Sequence, residues 1–493
     1  MPEKIESIDA PSRGYRITVA ALLGLALLTF AYPAIRIFWN FEIDSNEGWN
    51  AYYQLRAIAG QSLYRLESPL FFNNYPPLSF YLVGALAALI GDPMLAGRAV
   101  SLAALLVIAG STGAIVRSAG GSRTDSRLAV ATCIGLFAVF ATDYLGMNDP
   151  QLLGQAFVVA GLAVHLGGSG SARRGAVVAL LFAIGVLTKH NLVVVPLLVA
   201  ADVGRRGPPA QRAAFFATGL GLAAASAATL WFAVGPAFFT QVLASRTWDV
   251  ARAFLFTTET LGRFQAPLAV VGLGLMAARA HRPAGLIAVY LLLALVAGAF
   301  FAGGANTDIN VFFDVSIALA IGTGLIAHLL GRRFSWKRTA TVLALAANAG
   351  MLFAAPLALG RFGVDAAGEM DRREGLFNAD VAYLRALPGP ALCQSQLLCF
   401  RAAKPMYYDS FNVHQAIVAG HLPADVLIDK LRRHQIAVVQ ISDGPEFGDG
   451  DYPGVQSMPA RYIHFADPVF QTLAREYVVD RVGVSGRFYR PHP

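Results

Sequence analysis

Long apolar runs alternate with short polar gaps from residue 17 to residue 360, and the gaps are of two kinds. One kind carries arginine clusters: Arg117, Arg123 and Arg127; Arg173 and Arg174; Arg205, Arg206 and Arg212; Arg279 and Arg282; Arg332, Arg333, Lys337 and Arg338. The other, at 141–151, 189–191, 235–258 and 303–314, is poor in such clusters. The two kinds alternate, so the positive-inside rule puts the clusters in the cytoplasm and the other gaps outside. Residues 1–16 are polar, with Lys4, Arg13 and Arg16, and are expected in the cytoplasm. The first run, 17–38, ends in bulky residues without a small-residue cleavage site, so it is expected to stay as an anchor helix.

Two irregularities interrupt this pattern. Before Arg117 stand two runs, 77–90 and 98–116, where parity allows one crossing. The run 77–90 is short of the roughly 20 residues a span needs, so it is expected to be re-entrant or juxtamembrane. That leaves eleven crossings and an external C-terminus, or thirteen crossings if a cryptic pair is present. Further on, the short runs 176–187 and 192–201 meet at Thr188-Lys189-His190-Asn191. Such a polar tetrapeptide would be buried below the outer surface unless a wet cavity reaches it. Lys189 then lines that cavity or snorkels from a helix end. Asp149, in Asn148-Asp149-Pro150, is placed to N-cap the next helix.

The first polar interval, 40–81, gathers Glu42, Asp44, Glu47 and Glu67 with Arg56 and Arg65. Glu42 and Glu67 read as solvated loop acids. Asp44 and Glu47 open a short aromatic amphipathic helix (Trp49, Tyr52, Tyr53, Leu55), expected along the bilayer surface with its N-terminal carboxylates at fixed depth. Arg246 and Arg252, in the outer gap 235–258, break the charge rule and call for an anionic partner outside, or for Asp249 or lipid headgroups. Asn306, Asp308, Asn310 and Asp314 form a further polar edge, mostly ordinary loop, with Asp314 a cavity candidate.

Composition agrees with the pattern. Of 493 residues, 56% are hydrophobic and 14% charged, with mean hydropathy +0.52. Soluble proteins carry about 25% charged residues, so the chain is a polytopic membrane protein. Its net charge of +8 lies in the gap clusters and not in a stripe with interleaved aromatics, which argues against nucleic acid. Cys133 sits in an apolar run; Cys393 and Cys399 lie in the polar tail and are either paired or free.

From residue 361 the chain turns polar, with expected strands at 436–441 and 476–479 and an amphipathic helix at 423–434. This suits a small α/β domain over 361–493. Tyr407, Tyr408, Asp409 and His414 suit a carbohydrate surface or a domain-docking edge. No internal repeat, P-loop or metal-ligand spacing is found.

The interval's order of acid, acid, Gly48, aromatic and Tyr, then Gly60-x-x-Leu63-Tyr64 and Tyr75-Pro76-Pro77-Leu78, resembles the first outer loop of the GT-C membrane glycosyltransferases. It is similar in particular to the branch with protein O-mannosyltransferases and lipid A aminoarabinose transferases. The resemblance covers roughly residues 17–360 and includes Asp149 and the Thr188-Lys189 segment, both of which face the active-site cavity in those enzymes. Asn46 occupies the family's Asp, so the catalytic acid is Glu47 or the displaced Asp44. Tyr75 stands where the aminoarabinose transferases have Lys, so phosphate contact must come from elsewhere.

The resemblance implies a helical polytopic fold of 11 to 13 spans with an outer catalytic loop, 40–76, and an extracytoplasmic C-terminal α/β domain. The implied location is a bacterial inner membrane. The implied activity is transfer of a hexosyl or pentosyl group from a polyprenyl-phosphate donor to an envelope acceptor, whether glycan, lipid or protein. Asp44 and Glu47 are the expected catalytic acids; Tyr75, Asp149, Lys189, His190 and Arg246 are the expected substrate contacts. No cofactor is expected, although acids of this loop assist a divalent ion in some relatives, so a metal stays open. Two other classes stand beside this reading: a secondary transporter or flippase for lipid-linked sugar, and a non-catalytic envelope scaffold.

Overall fold

The computed structural model describes residues 11–64, 69–168, 170–244, 246–333, 338–442, 465 and 467–493. Lys4, Arg65, Glu67 and Lys337 therefore lie outside the described residues. The first half is a series of helices: α1 (Arg13–Arg36), α2 (Asn46–Ile58), α3 (Leu78–Ile90), α4 (Pro93–Ser118), α5 (Arg123–Phe140), α6 (Gln151–Leu166), α7 (Ala172–Thr188), α8 (Val194–Arg206) and α9 (Pro209–Val234). Capping sets several boundaries. Asp92 accepts from the backbone of Met94 to open α4, and Ser122 and Asp125 form a capping box on α5.

Among the described residues, five helices are long and apolar enough to cross a membrane: α1, α4, α9, Arg282–Ala302 and Ile309–Leu330. Two bent pairs, Val250–Arg263 with Gln265–Ala277 and Thr339–Ala347 with Ala349–Ala386, raise the number to seven. The expected eleven to thirteen crossings exceed this, because several apolar runs form short helices. Thus α3, α6, α7 and α8 have 13, 16, 17 and 13 residues.

Position follows burial. The span Ile309–Leu330 is 83% buried and forms the centre, while α9 is only 6% buried and leaves Leu220, Trp231 and Phe232 exposed. In a soluble protein such an apolar exterior would be costly; facing lipid it is the expected surface. One apolar core, with Phe137, Phe264, Tyr290 and Phe312, joins α1, α4 to α8 and the later helices.

The polar tail forms a four-stranded sheet of order β1-β2-β4-β3, with β1 (Ala391–Cys393), β2 (Val438–Ile441), β3 (Tyr477–Gly483) and β4 (Gly486–Pro491). Strands β1 and β2 are parallel and the other pairs antiparallel. The strands expected at 436–441 and 476–479 are present, the second one longer, and the amphipathic helix spans Asp425–Arg432. Cys393 and Cys399 form a disulfide, with Cα atoms 5.9 Å apart.

Candidate functional site

The site is assembled from segments far apart in the chain, and α2 is its hub. Its first turn presents Glu47, fully buried, to Arg98 of α4, 2% exposed. Glu47 Oε1 accepts from Arg98 Nε at 2.8 Å and from Asn148 N at 3.0 Å; Oε2 accepts from Arg98 Nη2 at 2.6 Å and from Ile43 N at 2.8 Å. Arg98 also donates to the carbonyls of Ile37, Trp39 and Phe41. The pair thereby holds the loop before α2 and the loop before α6 against one another.

The loop before α6 is fixed from a second side. Arg36, 3% exposed, donates to the carbonyls of Thr142, Asp143 and Leu145. Gln54 and the Asn148 amide exchange hydrogen bonds at 2.7 and 3.1 Å. Next to Asn148, Asp149 Oδ1 accepts from Gln151 N at 2.7 Å. The helix starts one residue later than the cap reading implied, because Pro150 occupies the cap position. Asp149 Oδ2 is 3.6 Å from Lys189 Nζ.

Lys189 lies at the break between α7 and α8, as the two short runs predict. It is 5% exposed, and its ammonium sits 3.7 Å from the centre of the Tyr75 ring. Tyr75 has a second face. With Asn46, Trp49, Asn74, Arg246 and Asp409 it lines a cavity that encloses about 520 Å³, open mouth included. Ser45 and Asn46 join this cavity to Asp44, whose Oδ1 accepts from Asn46 N at 2.9 Å. Burial pushes the Asp44 carboxyl up to about 7 against that hydrogen bond, and Asp308, Asp149 and Glu47 add to the rise.

The tail roofs this cavity. Trp49 Nε1 donates to Asp409 Oδ2 at 2.9 Å, and Tyr52 Oη donates to the Lys404 carbonyl at 2.6 Å. The 405–414 segment is thus a docking edge, and Gln394, Gln396 and Asn412 join the lining. Trp49 and Tyr53 pack on Tyr75 and Phe80 inside the protein. Trp49, Tyr52 and Tyr53 of α2 are therefore covered by protein, while Leu55 of the same helix stays exposed. Glu42, read from sequence as a solvated acid, instead accepts from Ser395 Oγ and Leu397 N.

Asp44, Glu47, Tyr75, Asp149 and Lys189 come together, and Arg246 joins them across the cavity, 5.0 Å over the Phe411 ring. His190 is adjacent but exposed, and its ring takes no hydrogen bond among the described residues. Arg252 is engaged elsewhere, donating to the carbonyls of Gly304 and Thr307 at 3.0 Å each. Sequence reasoning missed Arg98 as a site-building residue. The available signal was a charge at the very start of the apolar run 98–116. Among the described residues no three His, Cys, Asp or Glu side chains converge as metal ligands.

No family model and no curated protein matches the chain. Solved structures do. ArnT from Cupriavidus metallidurans in the apo state superposes with TM-score 0.62 and 16% identity, over 96% of this chain and 97% of its own. The same protein bound to undecaprenyl phosphate gives 0.58 and 14% over the same shares. Archaeal oligosaccharyltransferase AglB from Archaeoglobus fulgidus, in complex with an inhibitory peptide and a dolichol-phosphate, gives 0.53 and 10%, over 86% of this chain and 69% of its own. The chain has the fold of the GT-C glycosyltransferases, the group in which ArnT and AglB stand.

Proposed function

We propose that the protein is a multi-pass membrane glycosyltransferase of a bacterial inner membrane. It moves a sugar from a polyprenyl-phosphate donor to a hydroxyl of an envelope acceptor on the extracytoplasmic face. The observation that carries this reading is a cavity lined by Tyr75 and Arg246, with Asp44 next to its Ser45-Asn46 wall and the Lys189–Asp149 pair behind the Tyr75 ring. The likeness to ArnT and AglB, whose structures hold undecaprenyl phosphate and dolichol-phosphate, supports the choice of donor. The Cys393–Cys399 disulfide supports an oxidising compartment for the tail.

In this reading the acceptor oxygen attacks the anomeric carbon, the bond from that carbon to the phosphate oxygen breaks, and the carrier leaves as polyprenyl phosphate. The acceptor proton passes to Asp44, whose raised carboxyl pKa suits a base near neutral pH. Arg246, which makes no hydrogen bond or ion pair among the described residues, meets the phosphate. Lys189 keeps the field positive through Tyr75, and Asp149 fixes Lys189. Glu47 is a positioning residue, since both of its oxygens are engaged by Arg98, Asn148 and Ile43.

The test is a transfer assay with polyprenyl-phosphate sugar labelled in the sugar, using purified protein in lipid. Transfer gives a labelled glycoside and free carrier phosphate, and both vanish in Asp44→Asn. Label that only changes leaflet would mark a transporter, and unchanged label with a tail-dependent phenotype would mark a scaffold.

A further inference from the structure

A second cavity lies between the start of α6, the residues leading into α8, and the helices Arg282–Ala302 and Phe313–Arg333. Its polar lining is Gln151, Asn191, Asn310 and Asp314, and its enclosed space, about 280 Å³ with the mouth included, narrows to room for one small sphere. Asp314 Oδ1 takes two hydrogen bonds, from Tyr290 Oη and Gln155 Nε2, at 2.5 Å each. Asp314 Oδ2 accepts none, and Asp314 has no ion pair, among the described residues. Gln151, 2% exposed, and Asn191 each bring a buried side-chain oxygen without a hydrogen-bond partner. Gln155 stands behind this lining and holds Asp314 in place through its Nε2.

These atoms have one chemistry in common. They are oxygen acceptors, one with a formal negative charge, inside the helical half of the protein where a lone carboxylate is unfavourable. A water would occupy two acceptors but supply no charge. An anion would face only acceptors. A calcium ion takes six to eight oxygens and several carboxylates, and magnesium keeps waters for which the cavity has no room. One carboxylate with neutral amide oxygens matches a single positive charge on a small, hard ion. We propose that this cavity binds one desolvated monovalent metal cation, sodium by size and donor type. Gln151 is two residues from Asp149 and Asn191 two from Lys189, so the ion ties together the segments that carry that pair. The inference does not depend on the transferase reading.

The test uses the full chain in detergent, with binding of ²²Na⁺ and thermal unfolding in sodium chloride against choline chloride at equal ionic strength. The expected result is one saturable ²²Na⁺ site per chain, displaced by unlabelled sodium and not by choline, and a Tm that climbs with the logarithm of sodium concentration. Asp314→Asn, which keeps the shape and an acceptor for Tyr290, loses both. Asn191→Ala raises the half-saturating sodium concentration about tenfold, the value of one charge-assisted contact. Absence of sodium-specific binding in the wild type overturns the proposal. An equal sodium response in wild type and Asp314→Asn does so too, since the effect is then general salt. If Asp314→Asn does not fold, an unchanged half-saturation in Asn191→Ala overturns it.

Discussion

Glu47 and Arg98 face each other through two parallel hydrogen bonds, at 2.8 and 2.6 Å, with 0% and 2% exposure. The forked geometry is the one in which arginine and carboxylate interact most strongly. Breaking such a pair from one side leaves a buried charge without a partner and costs about 3–5 kcal/mol. Arg98→Ala is therefore expected to lower Tm strongly in detergent. Arg98→Lys is expected to fall well short of wild type, because an ammonium cannot reproduce the fork. The double variant Glu47→Gln with Arg98→Met should lose less stability than the two single losses added, as a thermal cycle of the four proteins would read out. Equal additive losses would mean that the two residues act separately.

As the proposed base, Asp44 predicts a pH profile. A base must be deprotonated to accept a proton, so kcat/KM is expected to increase with pH through about 7, where the carboxyl of Asp44 titrates, and to level off above it. Asp44→Asn should lower kcat by roughly 100-fold or more and flatten the acid limb. Glu47→Gln should lower the rate by disturbing geometry while leaving the limb in place. An acid limb that moves with Glu47 and not with Asp44 would reverse the two roles.

Lys189→Met tests the pair with Asp149. Removal of the ammonium leaves Asp149 buried, 8% exposed, with its charge uncompensated. The expected result is a loss of both stability and donor affinity, with the KM for donor raised more than the KM for acceptor. Asp149→Asn keeps the contact to Gln151 N and should be milder in stability. A Lys189→Met protein with wild-type donor KM would remove Lys189 from the site.

The seam between the first outer loop and the tail responds to pH in the opposite sense to the rate. Burial pushes the Glu42 carboxyl up to about 8 and that of Asp409 up to about 6, against hydrogen bonds from Ser395 and Leu397 to the first and from Asn412 and Trp49 to the second. Both values stand above the ordinary carboxylate range near 4. The docked state therefore holds these protons more tightly than the undocked one, and its advantage is full below about pH 4. It is lost as pH climbs through about 6 and then about 8. Hydrogen exchange in the helix Gln396–Arg401 is expected to be slower at pH 5 than at pH 8.5, after correction for intrinsic rate. Glu42→Gln should remove the upper part of that dependence.

Much of this site was legible along the chain, for reasons that differ by residue. The break at Lys189 stood out because four polar residues interrupt an apolar stretch, and a lipid-facing helix does not carry them without cause. Asp149 was visible through the Asn-Asp-Pro signal at a helix start. Arg98 was hidden because it opened an apolar run, where a charge reads as a boundary; the helix begins five residues earlier, at Pro93, and Arg98 points inward to a partner 51 positions back. Apolar periodicity in α2 announced a covered face but not what covers it. Here that is Tyr75, Phe80 and the tail, a tertiary fact with no local signal. The pairing of Cys393 with Cys399 was open for the same reason. The crossing number was the least legible, since short apolar runs of similar hydropathy become either spans or buried half-helices according to their neighbours.

Gly48, part of the acid-acid-Gly pattern, shows what the pattern requires. A Cβ built there would stand 2.0 Å from Leu397 N and 2.5 Å from its Cα, both backbone atoms of the helix Gln396–Arg401. Backbone cannot swing aside as a flexible side chain does, so Gly48→Ala must separate α2 from the tail. The helix propensity gained by alanine, about 1 kcal/mol, is outweighed by the lost packing of Ala51, Leu397 and Leu398 in their shared core. Gly48→Ala is thus expected to speed proteolysis of the tail, to raise the KM for acceptor and to leave the membrane helices folded. Gly24→Ala in α1, where a Cβ meets nothing within 4 Å, is the matched control and should be neutral or slightly stabilising. A Gly48→Ala protein with a wild-type proteolysis rate would mean that the tail does not rest on α2 in the folded protein.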